Sequence, residues 1–481
     1  MGKLQKYFDF NVMYDVAIIE AYTSTFENFR KYLGEAEDTV LMMGQGTGAD
    51  DFNFQGTFLT FHDPAAIERV GRAIYGLIRD DRRWRRLQAL LRSYDQHLFP
   101  YMTLEGTERL TGAPQDDSDF LAAYERWYRA YMECATAYLF TDGYYHEFSI
   151  KEAQGELAAQ GRDAADIAEL LKPRGLSEFQ KANREVARIR TLWSSGDERW
   201  RSEFRTFLDR YVWLYVADTH YNLPEIIKQL EARLESGEGE SAPDETERRE
   251  PPDVTAHLPE VIGRIGELGF QRIQMRRYWQ WLDFLLHRIF VRFEEKHGLP
   301  PYFLAMLTHA ETRDLIGDYS ASRLRGLAAL REKRMQQFAA LLEDGTVRVY
   351  EDRKVIDRIR QERCQEETRR DLITGQIAYR GEGAMIGRAR VVKWTQQIHE
   401  ELARVEPGEI IVVNQIKPDF LPFLQRVRAI VADEGGITSH SAIISRELKI
   451  PAIIGTRNAT SLLQDGDELH LDFAAGTVRV S

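Results

Sequence analysis

The chain has 481 residues, a formal net charge of -12, and 43% hydrophobic against 29% charged residues. Such a length exceeds one ordinary core and implies two or three domains. No apolar run approaches the roughly 20 residues of a membrane span, and the acidic balance argues against broad polyanion binding.

The opening "MGKLQKYFDFNVMYD" lacks the apolar stretch of a secretory signal, and Lys6 stands where a myristoylation motif wants Ser or Thr. The expected location is therefore cytoplasmic, with no membrane contact. Residues 1–234 read as helical: segments such as "AAIERVGRAIYGLIRDDRRWRRLQALLRSYDQHL" repeat apolar residues at three- and four-residue spacing, and strand signals are scarce. One glycine-rich segment, "MMGQGTGADD" (Met42 to Asp51), offers Gly44, Gly46 and Gly48 as a phosphate cradle. No Walker lysine follows and the dinucleotide spacing is imperfect, so a substrate-side or structural loop is the expectation. The basic run "RDDRRWRRLQALLR" reads as a solvated helix face, not a nucleic-acid surface.

Residues 235–256, acidic and rich in Gly and Pro, read as a linker or disordered loop. Helical periodicity returns over 257–352, where "MRRYWQWLDFLLHRIF" is apolar on too many sides for an exposed helix. A charged connector and hinge is expected over 353–374. From 375 to 481 the texture changes to short Val- and Ile-rich strands, "GRARVVKW", "GEIIVVN", "VRAIVAD", "IPAIIG", "DELHLDF" and "GTVRVS", separated by Gly, Asp or Pro turns. This is a compact α/β module. Only Cys134 and Cys364 occur, which supports neither a disulfide framework nor a thiolate site, and no protein-only metal site is assigned.

Within that module, "ADEGGITSHSAIISRELKIPAIIGT" places Gly435 and Gly436 after an expected strand, lets Thr438 or Ser439 cap a helix, and puts His440 in its first turn. Unpaired backbone N–H groups and the positive end of the helix dipole favour an anion there. A neutral imidazole is a competent nucleophile near neutral pH, and the amides and hydroxyls around it would stabilise a phosphoryl group. A histidine that happens to follow a helix cap is the plainer reading of the same residues.

The segment "GGITSHSAIISRELKIPAIIG" resembles the signature of the phosphohistidine swivelling domain of phosphoenolpyruvate-utilising enzymes, a family that includes pyruvate phosphate dikinase, phosphoenolpyruvate synthase, rifampin phosphotransferase and the phenylphosphate synthases. The likeness runs through Gly435-Gly436, Thr438-Ser439-His440, Ala442, Arg446-Glu447-Leu448, Pro451 and Gly455, and continues over about Gly375 to Ser481. It implies that His440 carries a phosphoryl group between distant sites, stabilised by Gly435, Gly436, Thr438 and Ser439. The chain departs from the pattern in "NQIKPD", where Asn414 and Lys417 stand in place of threonines. Lys417 either adds positive charge beside the phosphoryl group or is simply solvated.

The implied fold is multidomain, α and α/β: a large mainly helical N-terminal region that binds an acceptor or partner, followed by a compact C-terminal β/β/α swivelling domain. The helical region lacks the strand-rich layout of an ATP-grasp domain, and no C-terminal barrel follows. The resemblance thus implies loading from ATP and Mg2+ by a separate ATP-grasp protein, as in split phenylphosphate synthases. "LPPYFLAMLTHAETRDL", "LMMGQGTGADDFN" and "FRTFLDRYVWLYVADTHYNLPEI" carry a fainter likeness to the helical region of rifampin phosphotransferase.

A hydroxyl acceptor needs an aromatic or apolar pocket, a base and cations. Candidates are His146, Asp218, His220, Arg276, Arg277, His287 and Arg288. On a helix, Arg277, Trp281 and Arg288 fall near one face, as do Arg276, Asp283 and His287. Packing and ion pairing account equally for such residues among aromatics. Three functions follow: a phosphotransferase component acting on a phenol or another alcohol, a ligase component that activates a carboxylate through phospho-His440, and a phosphorelay or regulatory binding protein. A stable phosphorylated product marks the first and phosphate release with a new C–N or C–C bond the second. A helical surface without an enclosed pocket marks the third.

Overall fold

A computed structural model describes residues 3–13, 16–49, 54–98, 116–141, 143–162, 167, 171, 178–214, 227–228, 230–232, 234, 257–365, 372–381, 384–392, 398–416, 420–436 and 440–480. The N-terminal part is mainly helical, yet it is built around a sheet that the helical pattern concealed. Five antiparallel strands, β1 (Gln5–Met13), β2 (Thr39–Ala49), β3 (Phe54–His62), β4 (Gln337–Glu343) and β5 (Thr346–Tyr350), lie in the order β1-β3-β2-β4-β5. The expectation of scarce strands is corrected here, and so is the reading of the glycine-rich segment as a loop. Met42, Met43 and Gly44 pair with Thr60, Leu59 and Phe58 on one side and with Ala340, Ala339 and Phe338 on the other. A register shift between Gly46 and Gly48 marks a bulge, the role glycine commonly takes inside a strand.

Alternation decides what covers each face. Val40, Met42, Phe338, Ala340 and Leu342 join the main helical core, whereas Leu41, Phe61, Ala339 and Leu341 pack with Leu4, Ile356 and Cys364 beneath the helix Arg353–Arg363. On the first face lie α1 (Val16–Leu33), α2 (Asp117–Leu139), α3 (Gly143–Ala159) and the 40-residue α4 (Leu258–His297). The sequence pattern of α4 is explained by its place at the centre of the helices, where Trp281, Leu285, Leu286, Ile289 and Phe293 are buried. Trp127 of α2 is fully buried and donates its indole N–H to the Leu282 carbonyl of α4 at 2.7 Å, so apolar contact and a buried hydrogen bond act at one residue. Both cysteines are buried and free.

The C-terminal domain holds an eight-stranded sheet. β6 (Leu372–Thr374), β7 (Gln376–Tyr379), β8 (Ala384–Val392), β9 (Ile410–Val413), β10 (Ala429–Ala432), β11 (Ala452–Ile454), β12 (Glu468–Asp472) and β13 (Thr477–Val480) run in the order β6-β13-β12-β8-β9-β10-β11-β7. β8 to β11 are parallel, and the short apolar runs of β9, β10 and β11 are buried on both faces as central parallel strands require, while β8 is only partly covered. Helix α5 (His440–Glu447) connects β10 to β11. Among the described residues no helix is long and apolar enough to cross a membrane.

Replacing Trp127 by Ala removes its ring and leaves the Leu282 carbonyl without that donor. A loss of about 3–5 kcal/mol in the N-terminal unfolding transition is expected, read by urea denaturation.

Candidate functional site

The turn before His440 is fixed by a buried carboxylate. β10 ends at Ala432, and the next two amides continue its pairing with the β9 side, Asp433 N to Val413 O at 3.0 Å and Glu434 N to Asn414 O at 2.8 Å. The Asp433 side chain turns inward. It accepts the Thr456 hydroxyl at 2.8 Å and the Thr460 amide at 3.2 Å, and also takes the Thr460 hydroxyl. Burial pushes its pKa up to about 6 against these hydrogen bonds, which favour the charged form. The loop after β10 is thereby clamped to the turn after β11.

Two glycines make that clamp possible. Gly435 has φ of +123° and Gly455 φ of +71°, and a Cβ on Gly455 would stand 2.6 Å from the Gly435 carbonyl oxygen. Beyond them α5 begins with His440 as its first helical residue, at the carboxyl ends of β9 to β11, where ligands meet open α/β sheets. Ser441 anchors this first turn. Its hydroxyl accepts the Ile416 amide at 3.1 Å, while the Ser445 hydroxyl donates to the Ser441 carbonyl at 2.7 Å.

The glycine loop is seated on the helical body. A Cβ on Gly436 would come within 3.3 Å of Glu147 Cγ, and one on Gly455 within 3.8 Å of Glu147 Oε1. Glu147 lies in the early part of α3, which is held from below: Tyr145 donates to Glu37 Oε1 at 2.6 Å, and His62 Nδ1 lies 2.9 Å from Glu37 Oε2, all three residues being buried. Between Tyr145 and Glu147 stands His146, 4% exposed, whose Nε2 has no hydrogen-bond partner among the described residues. Burial, and next the charge of Arg272, push its pKa down to about 3, so the imidazole is neutral at pH 7. Arg272 of α4 points both Nε and Nη2 at the Tyr138 hydroxyl, each at 3.3 Å. The Tyr138 ring meets Trp279 at 5.1 Å edge-on, and Trp279 also contacts Tyr131 and Tyr22.

This arrangement divides the residues singled out from sequence. Gly435 and Gly436 form the turn before His440. Thr438, Ser439, Lys417, Asp218 and His220 lie outside the described residues. His146 feels the charge of Arg272 on α4, and Arg276 follows one turn later. His287 and Arg288 are too far along the same helix to join them, roughly 22 Å at 1.5 Å per residue from Arg272. There burial holds His287 near pKa 4, and the Arg288 guanidinium lies 5.7 Å from the Phe284 ring centroid. Arg277 is half-buried in the same helix. Arg276 and His287, on a shared helical face, lie roughly 16 Å apart along the axis. Sequence reasoning did not find Asp433, Thr456, Thr460, Ser441, Glu147, Tyr138 or Arg272. Only "ADEGG" and the Thr after Gly455, both beside the recognised motif, gave any signal for the clamp.

Residues 405–476 match the family model described as "PEP-utilising enzyme, mobile domain", and the C-terminal domain is a domain of that kind. The chain is 36% identical over 137 residues to the "Probable phosphoenolpyruvate synthase" of Archaeoglobus fulgidus, covering 28% of this chain and 18% of that protein. It is 40% identical over 105 residues to the phosphoenolpyruvate synthase of Aeropyrum pernix, covering 22% of this chain and 13% of that protein. The chain thus spans less than a fifth of the length of these curated relatives. A solution structure of Enzyme I matches at 30% identity over 18% of this chain and 38% of its own, with a TM-score of 0.16.

The raised Asp433 pKa carries a sign. The folded domain binds this proton more tightly than the unfolded chain, so the group's contribution to stability is greatest below the ordinary carboxylate range. It is lost as pH rises to about 6 and is level above. Asp433→Asn is expected to flatten that slope in urea midpoints of the C-terminal domain measured from about pH 4 to about pH 7.

Proposed function

We propose that this chain is the transfer component of a phosphohistidine phosphotransferase. His440 takes up a phosphoryl group that originates in ATP and gives it to the hydroxyl of a small acceptor, a phenol or another alcohol, held by the helical body. The observation that carries the reading is the seating of the Gly435–Gly436 turn against Glu147, next in sequence to the buried, neutral His146. That contact brings the carrier loop to the part of the body where an imidazole, a guanidinium and an aromatic cluster meet.

In the transfer step the acceptor oxygen attacks phosphorus in line as the bond from phosphorus to the His440 ring nitrogen breaks. His146, whose buried Nε2 has no hydrogen-bond partner among the described residues, draws off the hydroxyl proton once the acceptor is seated against it, and the released His440 imidazole is reprotonated from solvent. Arg272 offsets charge on the transferring oxygens, and Tyr138 with Trp279 supplies the apolar wall for the acceptor. Placing the base and cation on rigid helices keeps their geometry set before the carrier arrives.

Loading is assigned to a separate ATP-grasp protein that brings ATP and Mg2+ as substrate. Two features support this. The segment read as a phosphate cradle is used as strand β2, and the Asp433 carboxylate is spent on internal hydrogen bonds and is not offered to a metal. The hinge expected over 353–374 does not begin at the helix Arg353–Arg363, because Ile356 and Cys364 are core residues of the body. The domain then swings between the loading partner and the helical body.

His146→Leu separates the two half-reactions. Loading of His440 from ATP with the partner is expected to be unchanged, while transfer from the phosphorylated chain to an acceptor alcohol falls about 100-fold or more, as for a lost general base. Equal loss in both half-reactions would assign His146 to folding.

A further inference from the structure

A second feature of the docked arrangement is a cavity of about 340 Å³ whose walls come from both units. β1 contributes Gln5 and Lys6, α3 contributes Glu147, and the C-terminal domain contributes Gln376, Arg457 and Asn458. Gln376 pairs with Ile454 at the carboxyl end of β11, so the cavity opens on the side of the parallel strands where α/β sheets take ligands. It lies beside the carrier loop, since a Cβ on Gly436 would be 3.9 Å from Gln376 Oε1.

Three observations define what would fill it. Gln376 Oε1 is buried without a hydrogen-bond partner among the described residues, a cost that a donor from a ligand would relieve. Two cationic side chains, Lys6 and Arg457, face one carboxylate, Glu147, so the lining carries a net positive charge. Arg457 is held in the left-handed region at φ of +69° by donating its amide to the Asp433 carbonyl at 3.0 Å, a conformation unfavourable for a residue with a side chain and typical of ligand clamps. An apolar ring would leave Gln376 Oε1 without a donor.

We infer that this cavity binds a small hydroxylated anion, a hydroxy acid or a phosphate ester of a polyol, and that its occupant holds the C-terminal domain docked. The cations take the anionic group, and Gln376 Oε1 and Glu147 accept from its hydroxyls. Lys6 already bridges the units by donating to the Ser461 hydroxyl at 2.7 Å. A ligand gripped from both sides binds only the docked state and shifts the population towards it. The inference rests on the docked arrangement and not on chemistry at His440.

The full-length protein would be titrated calorimetrically with sn-glycerol 3-phosphate, D-glycerate and glycerol, and followed by hydrogen exchange over 143–150 and 455–462. At least one of the two anions is expected to bind, glycerol is not, and Lys6→Met and Gln376→Leu each weaken binding about tenfold. Exchange slows in both segments, and His440→Asn binds as the unaltered chain does, so failure of His440 to accept a phosphoryl group would leave the result standing. Binding by one anion alone narrows the class to a carboxylate or to a phosphate ester. No binding at about 10 mM, binding insensitive to both substitutions, or unchanged exchange in the two segments would overturn the inference.

Discussion

The buried carboxylate of Asp433 is the constraint on which the site depends. It ties the end of β10 to the turn after β11 through Thr456 and Thr460, and its carbonyl holds Arg457 in place. With that clamp closed, the Gly435 and Gly455 backbones pass so near each other that no side chain fits between them. α5 therefore starts at one defined point, with His440 at its head. A less clamped loop would present the same histidine in many positions, and phosphoryl transfer tolerates few of them.

The helical body meets this loop with an equally fixed surface. Glu37 lies buried between Tyr145 and His62, binding the start of α3 to the sheet, so Glu147 and His146 inherit a position set by the core. Glycine at 455 answers to the left-handed turn and the nearby Gly435 carbonyl, whereas at 436 a side chain would crowd Glu147. The polar cavity beside the contact takes its walls from both units.

The carrier domain was legible because its information is local: the glycine pair, the histidine and the Val- and Ile-rich strands are close together in sequence. The N-terminal sheet was not, for identifiable reasons. β2 pairs with β4 some three hundred positions away, as Val40 does with Leu342, and no short window contains that signal. β4, "QFAALLE", is made of good helix formers and follows the helix Ala321–Gln336 without a break, so tertiary pairing overrides propensity. The glycines of β2 mimic a loop. His146 was recognisable as a candidate by residue type, but Arg272 and Glu147 acquire meaning only when α3, α4 and the carrier loop converge. His287 and Arg288 show the converse, since helical periodicity places residues on a face without saying how far along the axis the site lies.

The central claim is that His440 carries a phosphoryl group, and the most direct test is mass spectrometry under conditions that preserve acid-labile phosphoryl groups. The purified chain would be incubated with ATP, Mg2+ and its loading partner supplied from an extract of its own cells, beside His440→Asn. The account predicts an added phosphoryl group on the peptide containing His440 that is lost on acid treatment and absent from the variant. An unmodified His440 with an active loading partner, or a phosphoryl group that persists in His440→Asn, would contradict it.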